Sequence, residues 1–341
     1  MNTLLHTICA KPETGIMVPI PQYPLYTATL SVLDARCVPY YLNEDQAWGT
    51  SLDSIATAYE RAVKEGTDVK AICVINPGNP TGASLPAEDI KAVLKFAAEK
   101  GLVVIADEVY QTNVFIGEFI SFKKALRDLQ KESPGQYDHL ELASLHSISK
   151  GMVGECGHRG GYFELIGFDP EVAQEVYKFI SIQLCPPVLG QCIVEMMVNP
   201  PKEGEPSYEL YKEEYDGIFN GLKKRAYALY EAFKQMEGVE CNEPQVRNSM
   251  PITLHIANLN TRAPCTSSPP STSQKRPYNK PRRKVARPTS STASACLTRQ
   301  VFVLLLVQAS DRRKAHCISG PPSLLLEPIG QGVLSNSTRS L

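Results

Sequence analysis

Two β-branched runs enclosing one well-marked helical pattern constrain this chain more than any other feature. "AICVIN" at 71–76 and "LVVIAD" at 102–107 read as short buried strands. Between them Ile90, Val93, Leu94 and Ala97 fall on one helical face. Ser84 is placed to cap that helix, Pro86 suits its first turn and Gly101 stops it. Strand, helix and strand in this order form a βαβ unit, which commits the chain to a parallel sheet.

The rest of the first 240 residues extends the pattern. "GIMVPI" at 15–20, "LELASLHS" at 140–147 and "GGYFEL" at 160–165 are further strand candidates. One helix is expected from Pro170 to about Val198, and a longer one from about Ser207 to Glu237. In the second, Tyr211, Tyr215, Ile218, Leu222, Leu229 and Phe233 recur at helical steps before Gly238. The expected class is α/β: a mostly parallel central sheet with helices on both faces. The long helix is able to bridge two domains.

Composition narrows the function classes. With 341 residues, 43% of them apolar and 8% aromatic, the chain can bury a large core in one large or two smaller domains. Its ten cysteines, at 9, 37, 73, 156, 185, 192, 241, 265, 296 and 317, form no CxxC pair. Reduced, mostly buried thiols are therefore expected rather than zinc ligands or a disulfide scaffold. "MNTLLHTICAKPETG" lacks the pattern of a signal peptide, and no run approaches the roughly 20 apolar residues of a membrane span. The expectation is a cytoplasmic protein with no membrane partner, a mitochondrial form sharing the same core.

The net charge of −1 conceals a division: residues 261–341 carry 13 Lys and Arg against Asp311 and Glu327, and the remainder is acidic. Residues 261–300 hold nine basic and no acidic residues among many Ser, Thr and Pro, without periodicity, and read as disordered. They carry no groove-reading motif, so nucleic acid is not the expected partner. "VFVLLLV" at 301–307 is too short to span a bilayer.

Chemistry collects where strands end, because ligands of an open parallel sheet bind beyond the carboxyl ends of its strands. "NPGNPTG" at 76–82 leaves one strand, "ADEVY" at 106–110 the next and "SISK" at 147–150 another. The last opens "SISKGMVGECGHRGG", one lysine followed by five glycines and a lone arginine. Singly, these motifs also suit a tight turn, a helix N-cap and a solvated side chain. Together they point to a site.

The set Tyr23 in "PQYPLY", Asn79, Asp107, Tyr110, Lys150 and Arg159 resembles the class I aminotransferases, pyridoxal-phosphate enzymes of fold type I. The flanks "VPIPQYPLY", "CVINPGNPTG", "GECGHRGGY" and "LCPPVLGQ" are similar to those of its alanine aminotransferase branch, from about Gly15 to about Glu243. The resemblance implies that Lys150 forms the Schiff base and carries the substrate proton. It implies that Asp107 pairs with the pyridine nitrogen, and that Tyr110 and Asn79 hydrogen-bond the phenolic oxygen. Tyr23 stacks on the ring, and Arg159 binds the phosphate with Ser147, or Ser149 as a second candidate. His146 and His158 are given no catalytic role.

The resemblance also implies a long segment ahead of Tyr23, and a small domain after the long helix whose arginine grips the substrate carboxylate. Residues 1–14 match neither the expected glycine-rich loop nor the tyrosine donated to a partner subunit. The pattern breaks near Val246. The expected organisation is thus a remnant segment 1–14, a cofactor-binding large domain 15–206, an interdomain helix and start of a small domain 207–245, and a divergent basic tail 246–341. The implied reaction is L-alanine plus 2-oxoglutarate to pyruvate plus L-glutamate, in a homodimer. The alternatives are a non-catalytic product that at most binds cofactor or a partner subunit, and another fold type I enzyme such as a carbon–sulfur lyase or an aminocyclopropane-carboxylate synthase. No metal is implied.

Overall fold

Alternation of side chains across a strand sorts this sequence into two buried faces. In β3 (Asp68–Ile75), Ala71, Cys73 and Ile75 join one apolar cluster while Ile72 and Val74 join another. A strand buried on both faces must be covered by helices on both. The computed structural model describes residues 1–182, 184–236, 239–246 and 252–254, all within the unit Met1–Leu306. The tail expected to be disordered lies outside the described residues, apart from Val246 and 252–254.

The central sheet has six strands in the order β2-β1-β3-β4-β5-β6. The others are β1 (Thr14–Ile20), β2 (Arg36–Tyr41), β4 (Val103–Asp107), β5 (Leu142–Ser147) and β6 (Gly161–Ile166). All neighbours pair in parallel except β5 and β6. The helices α3 (Leu52–Lys64), α4 (Ala87–Lys100) and α5 (Phe122–Glu132) cover one face through Ile55, Leu94, Phe122 and Leu126. The opposite face is covered by α1 (Asn2–Ile8), α2 (Leu25–Val32) and α6 (Pro170–Ser181), through Leu4, Leu5, Leu30 and Val176. From β1 the chain runs outward to β2 and then returns to β3 on the other side. The order therefore reverses between β1 and β3, where loops diverge and leave a crevice.

Several local expectations are corrected. Ser84 does not cap α4: Pro86 occupies the N-cap position and helical backbone starts at Ala87. A proline holds the residue before it in extended backbone, so 84–86 cannot turn into the helix early. Gly101 does stop α4, with φ 64°. The single helix expected over Pro170–Val198 is two, α6 and α7 (Val188–Val198), divided at Pro186 and Pro187, whose rings cannot sit inside a helix. The edge strand β2 was not foreseen, because Pro39 reads against a strand. At an edge the missing N–H costs no ladder bond. Nor are the thiols mostly buried: Cys37, Cys156, Cys185 and Cys192 are exposed and only Cys73 is fully buried among the free cysteines described.

The long helix α8 runs Tyr208–Lys234, about 40 Å at 1.5 Å per residue. Gly238, expected to end it, lies outside the described residues. After α8, β7 (Val239–Cys241) pairs antiparallel with β8 (Ile252–Leu254), so ordered pairing extends past Val246. Among the described residues no helix is long and apolar enough to cross a membrane.

The start of α7 packs against the loop before β6 through two glycines. A Cβ on Gly160 would lie 2.7 Å from Ile148 Cδ1 and 2.8 Å from the Gly190 carbonyl oxygen. Gly160→Ala is expected to push α7 away and to cost about 1–3 kcal/mol of stability, the range for overpacking. Urea unfolding measures this, and an unchanged midpoint would show that α7 yields freely.

Candidate active site

The loops that follow β1, β3, β4 and β5 all leave the same end of the sheet, and each carries residues singled out above. Asp107 is the last residue of β4. Its Oδ2 accepts a 2.7 Å hydrogen bond from the Tyr26 hydroxyl, while Oδ1 is buried without a partner. Burial raises the Asp107 carboxyl, opposed by the Tyr26 hydroxyl and the Val109 amide. The Tyr26 phenol is itself pushed far up, by burial first and then by the Asp107 charge, so it stays protonated as a donor. Sequence reading missed Tyr26, which stands one helical turn beyond the quoted Tyr23 and carries no signal of its own.

Asn79 and Tyr110 come together: Asn79 Nδ2 donates to Tyr110 Oη at 3.3 Å, although they belong to different loops. The loop of Asn79 is latched at its base by buried Asn76, whose Oδ1 accepts from the Leu85 amide at 2.9 Å. Across it, the Gly78 amide donates to the Ala83 carbonyl at 2.8 Å. A Cβ on Gly78 would meet Thr81 Oγ1 at 2.2 Å, so this turn needs glycine. Tyr110 is almost wholly buried, at 1% exposure, whereas Tyr23, in the loop after β1, is 50% exposed.

Beyond β5, Ser147 Oγ donates to the Gly160 carbonyl at 3.2 Å and accepts from the Ser149 amide at 3.0 Å. Its hydroxyl thus shapes the turn, and Ser149 Oγ is the one set against Arg159 Nη1, at 3.5 Å. Arg159 also donates to the Cys156 carbonyl at 2.5 Å. Its φ of 55° is left-handed, a conformation rare outside glycine and asparagine. Lys150 directly follows Ser149 and is exposed. His158 Nδ1 lies 3.0 Å from Glu155 Oε2 on the surface, and buried His146 bonds the Glu108 carbonyl through Nδ1 at 3.1 Å; both are structural contacts.

The family profile described as aminotransferase class I and II matches residues 1–260. The chain belongs to this family. It is 52% identical over 246 residues to a mitochondrial alanine aminotransferase of Saccharomyces cerevisiae, covering 72% of this chain and 42% of that one. It is 48% identical over 245 residues to an inactive alanine aminotransferase of the same organism, covering 72% of this chain and 48% of the other. The fold matches a Pyrococcus furiosus alanine aminotransferase with TM-score 0.62 at 24% identity, over 76% of this chain and 59% of that one. The chain spans about half the length of the curated relatives it matches.

Enzymes of the class I and II aminotransferase family hold a pyridine ring bearing a phosphate, and the residues here fit such a group. The partnerless, buried Asp107 Oδ1 is an acceptor in want of an N–H donor. Arg159 and Ser149 put a cation and a hydroxyl on one loop, as a phosphate requires. Tyr26→Phe is expected to leave Asp107 Oδ2 buried and unpaired and to cost about 1–3 kcal/mol. Urea unfolding of the two proteins tests it, and equal midpoints would show that the bond contributes nothing.

Beside the site lies a second carboxyl. Glu108 is 2% exposed, accepts from Ser144 Oγ at 2.5 Å and from the Phe122 amide at 2.7 Å. Burial pushes it up to about 7, and burial pushes His146 down to about 4. Glu108 holds its proton more tightly folded than unfolded, so its contribution is full below about 4.5 and fades as pH rises to about 7. His146 has the opposite sign, gaining from about 4 to 6.5. Glu108→Gln keeps an acceptor for the Phe122 amide and removes only the first effect. Relative to the parent, the variant should gain stability by on the order of 1–3 kcal/mol as pH rises from about 5 to 7, and level off above. Melting temperatures at several pH values check this, and a flat difference would show that Glu108 does not titrate there.

Proposed function

We propose that this chain binds pyridoxal 5'-phosphate in the crevice beyond β1, β3, β4 and β5 and carries out transamination, with L-alanine and 2-oxoglutarate as substrates. The observation that carries this reading is the Asp107 carboxylate, one oxygen fixed by Tyr26 and the other buried without a partner. The cofactor, when bound, supplies an aldehyde carbon that takes the amino group and a ring that delocalises the charge left at the substrate Cα.

Each residue then has a task set by its position. Tyr26 orients Asp107 so that Oδ1 would accept the ring N–H, and pairing with that nitrogen would offset the burial that favours the neutral carboxyl. Tyr110 and Asn79, already paired, present O–H and N–H groups to the phenolic oxygen. Arg159 and Ser149 grip the phosphate, with Ser147 bracing their turn. Tyr23, exposed in the loop after β1, would cover one ring face. Lys150 is the residue that would hold the cofactor covalently, and its Nζ would serve as the base that moves a proton at the substrate Cα.

The large domain, on this proposal, is residues 15–206 and the interdomain segment 207–245. A homodimer is supported by apolar side chains left exposed between α6 and α7 and at the start of α7, Ile182 at 74%, Leu184 at 82% and Val188 at 71%. A second reading, cofactor binding without turnover, is favoured by the 48% identity to a relative named inactive.

One experiment separates them. The purified chain is given pyridoxal phosphate, reduced with borohydride and digested, and the labelled peptide identified by mass. Label on Lys150 with alanine turnover supports the first reading, and label without turnover the second. Lys150→Ala should lose the label and lower any transamination by at least about 10²–10⁴-fold, the share general acid–base catalysis supplies. A labelled Lys150→Ala chain would refute the assignment.

A further inference from the structure

Gln245 touches both loops that carry the Asn79–Tyr110 pair. Its side-chain Oε1 accepts from the Ser84 amide at 3.1 Å, at the end of the NPGNPTG loop and 161 residues away in sequence. Its backbone carbonyl accepts from the Phe115 amide at 2.7 Å, and the next residue, Val246, forms an antiparallel bridge with Val114. Val246 is 1% exposed, so this short crossing is packed and not a surface contact. The segment is tied on its other side to α8, where Tyr227 Oη donates to Glu243 Oε1 at 2.9 Å. Phe115 meets α8 as well, its ring 5.4 Å from that of Phe219.

We infer that Gln245 is a positioning residue: it clasps the 76–85 loop to the 110–115 loop from behind and thereby sets the Asn79–Tyr110 pair that faces the cofactor. The Asn79–Tyr110 bond, at 3.3 Å, is long for an N–H···O bond, so the pair gains from a further tie between its two loops. The two bonds to Gln245 are the shorter connection, one through the side chain and one through the backbone. Removing the Oε1 acceptor frees the Ser84 amide and lets the first loop move against the second. The donors to the phenolic oxygen then lose their spacing while Lys150, Asp107 and Arg159 stay in place. This role rests on the cofactor reading given above, but the clasp itself does not.

The test compares the full chain with Gln245→Met, which keeps the bulk and removes the acceptor, and Gln245→Glu, which restores an acceptor oxygen. Amide hydrogen exchange without cofactor is followed in peptides covering 76–85 and 110–115, and pyridoxal phosphate is titrated by absorbance. Gln245→Met should exchange faster in both peptides and bind cofactor about tenfold more weakly, equivalent to 1.4 kcal/mol. The absorbance band of the bound cofactor should also shift its pH midpoint, since its phenolic oxygen loses donors, and Gln245→Glu should recover all three. Faster exchange confined to 76–85, or the same cofactor affinity and pH midpoint as the parent, would overturn the inference. A parent chain that takes up no cofactor would sink the proposed function, while the exchange comparison would still decide the clasp.

Discussion

Burial of the central sheet on both faces is the constraint from which the site follows. Adjacent residues of β3 and β4 feed opposite apolar clusters, with Ile105 on one side and Val104 and Ala106 on the other. A slip by one residue would exchange the two sets, but both sets are apolar, so pattern alone does not forbid it. What forbids it is the chain ends of the strands: Asn76 N donates to the Asp107 carbonyl at 3.0 Å, and Glu108 N to that of Leu145 at 3.1 Å. Polar residues begin where the strands stop, and their bonds fix the register of the apolar parts. Each fully buried Leu or Ile contributes about 1.5–3 kcal/mol, and that contribution is secured only in the register those ends select.

Asp107 and Glu108 show how one strand end serves two purposes. Successive side chains leave a strand on opposite faces. Asp107 turns to the face covered by α2, where Tyr26 meets it, and Glu108 turns to α5, where the Phe122 amide and Ser144 satisfy it. Both are desolvated, which favours the neutral carboxyl in each. The difference lies in what remains open. Glu108 has both oxygens engaged and closes the seam between β4, β5 and α5. Asp107 has one oxygen bonded to Tyr26 and the other buried without a hydrogen-bond partner, which on the proposed reading is the oxygen that meets the ring nitrogen.

Much of this was legible because the motifs are local. The βαβ unit, the αL stop at Gly101 and the motifs at the ends of β3, β4 and β5 all lie within short windows where pattern and chemistry agree. The break between α6 and α7 was missed: two prolines in a row cannot continue a helix, but the apolar periodicity across them concealed it. What could not be read were partners distant in sequence. Tyr26 reaches Asp107 across 81 positions and Gln245 reaches Ser84 across 161, and no spacing rule connects such pairs. Ser84 misled because a serine ahead of a helix suggests a cap, and only the fold reveals that Pro86 takes the N-cap position and the helix starts at Ala87.

Arg159 carries the remaining step. A non-glycine residue in the left-handed region costs on the order of 1–3 kcal/mol and persists only where the surroundings over-determine it. Here they do. Its guanidinium is bonded to the Cys156 carbonyl three residues back, its own carbonyl lies 2.9 Å from where a Cβ on Gly190 would stand, and Gly160 lets α7 press on the same loop. The start of α7 follows the Pro186–Pro187 break, so the feature that splits the expected helix in two also aims its second half at Arg159. With the backbone held on that side, the guanidinium is presented beside Ser149 without waiting for a ligand to order it. On the proposed reading, an arginine fixed in this way would lose less rotamer freedom on meeting a phosphate, so that strain held in the backbone would be returned as binding.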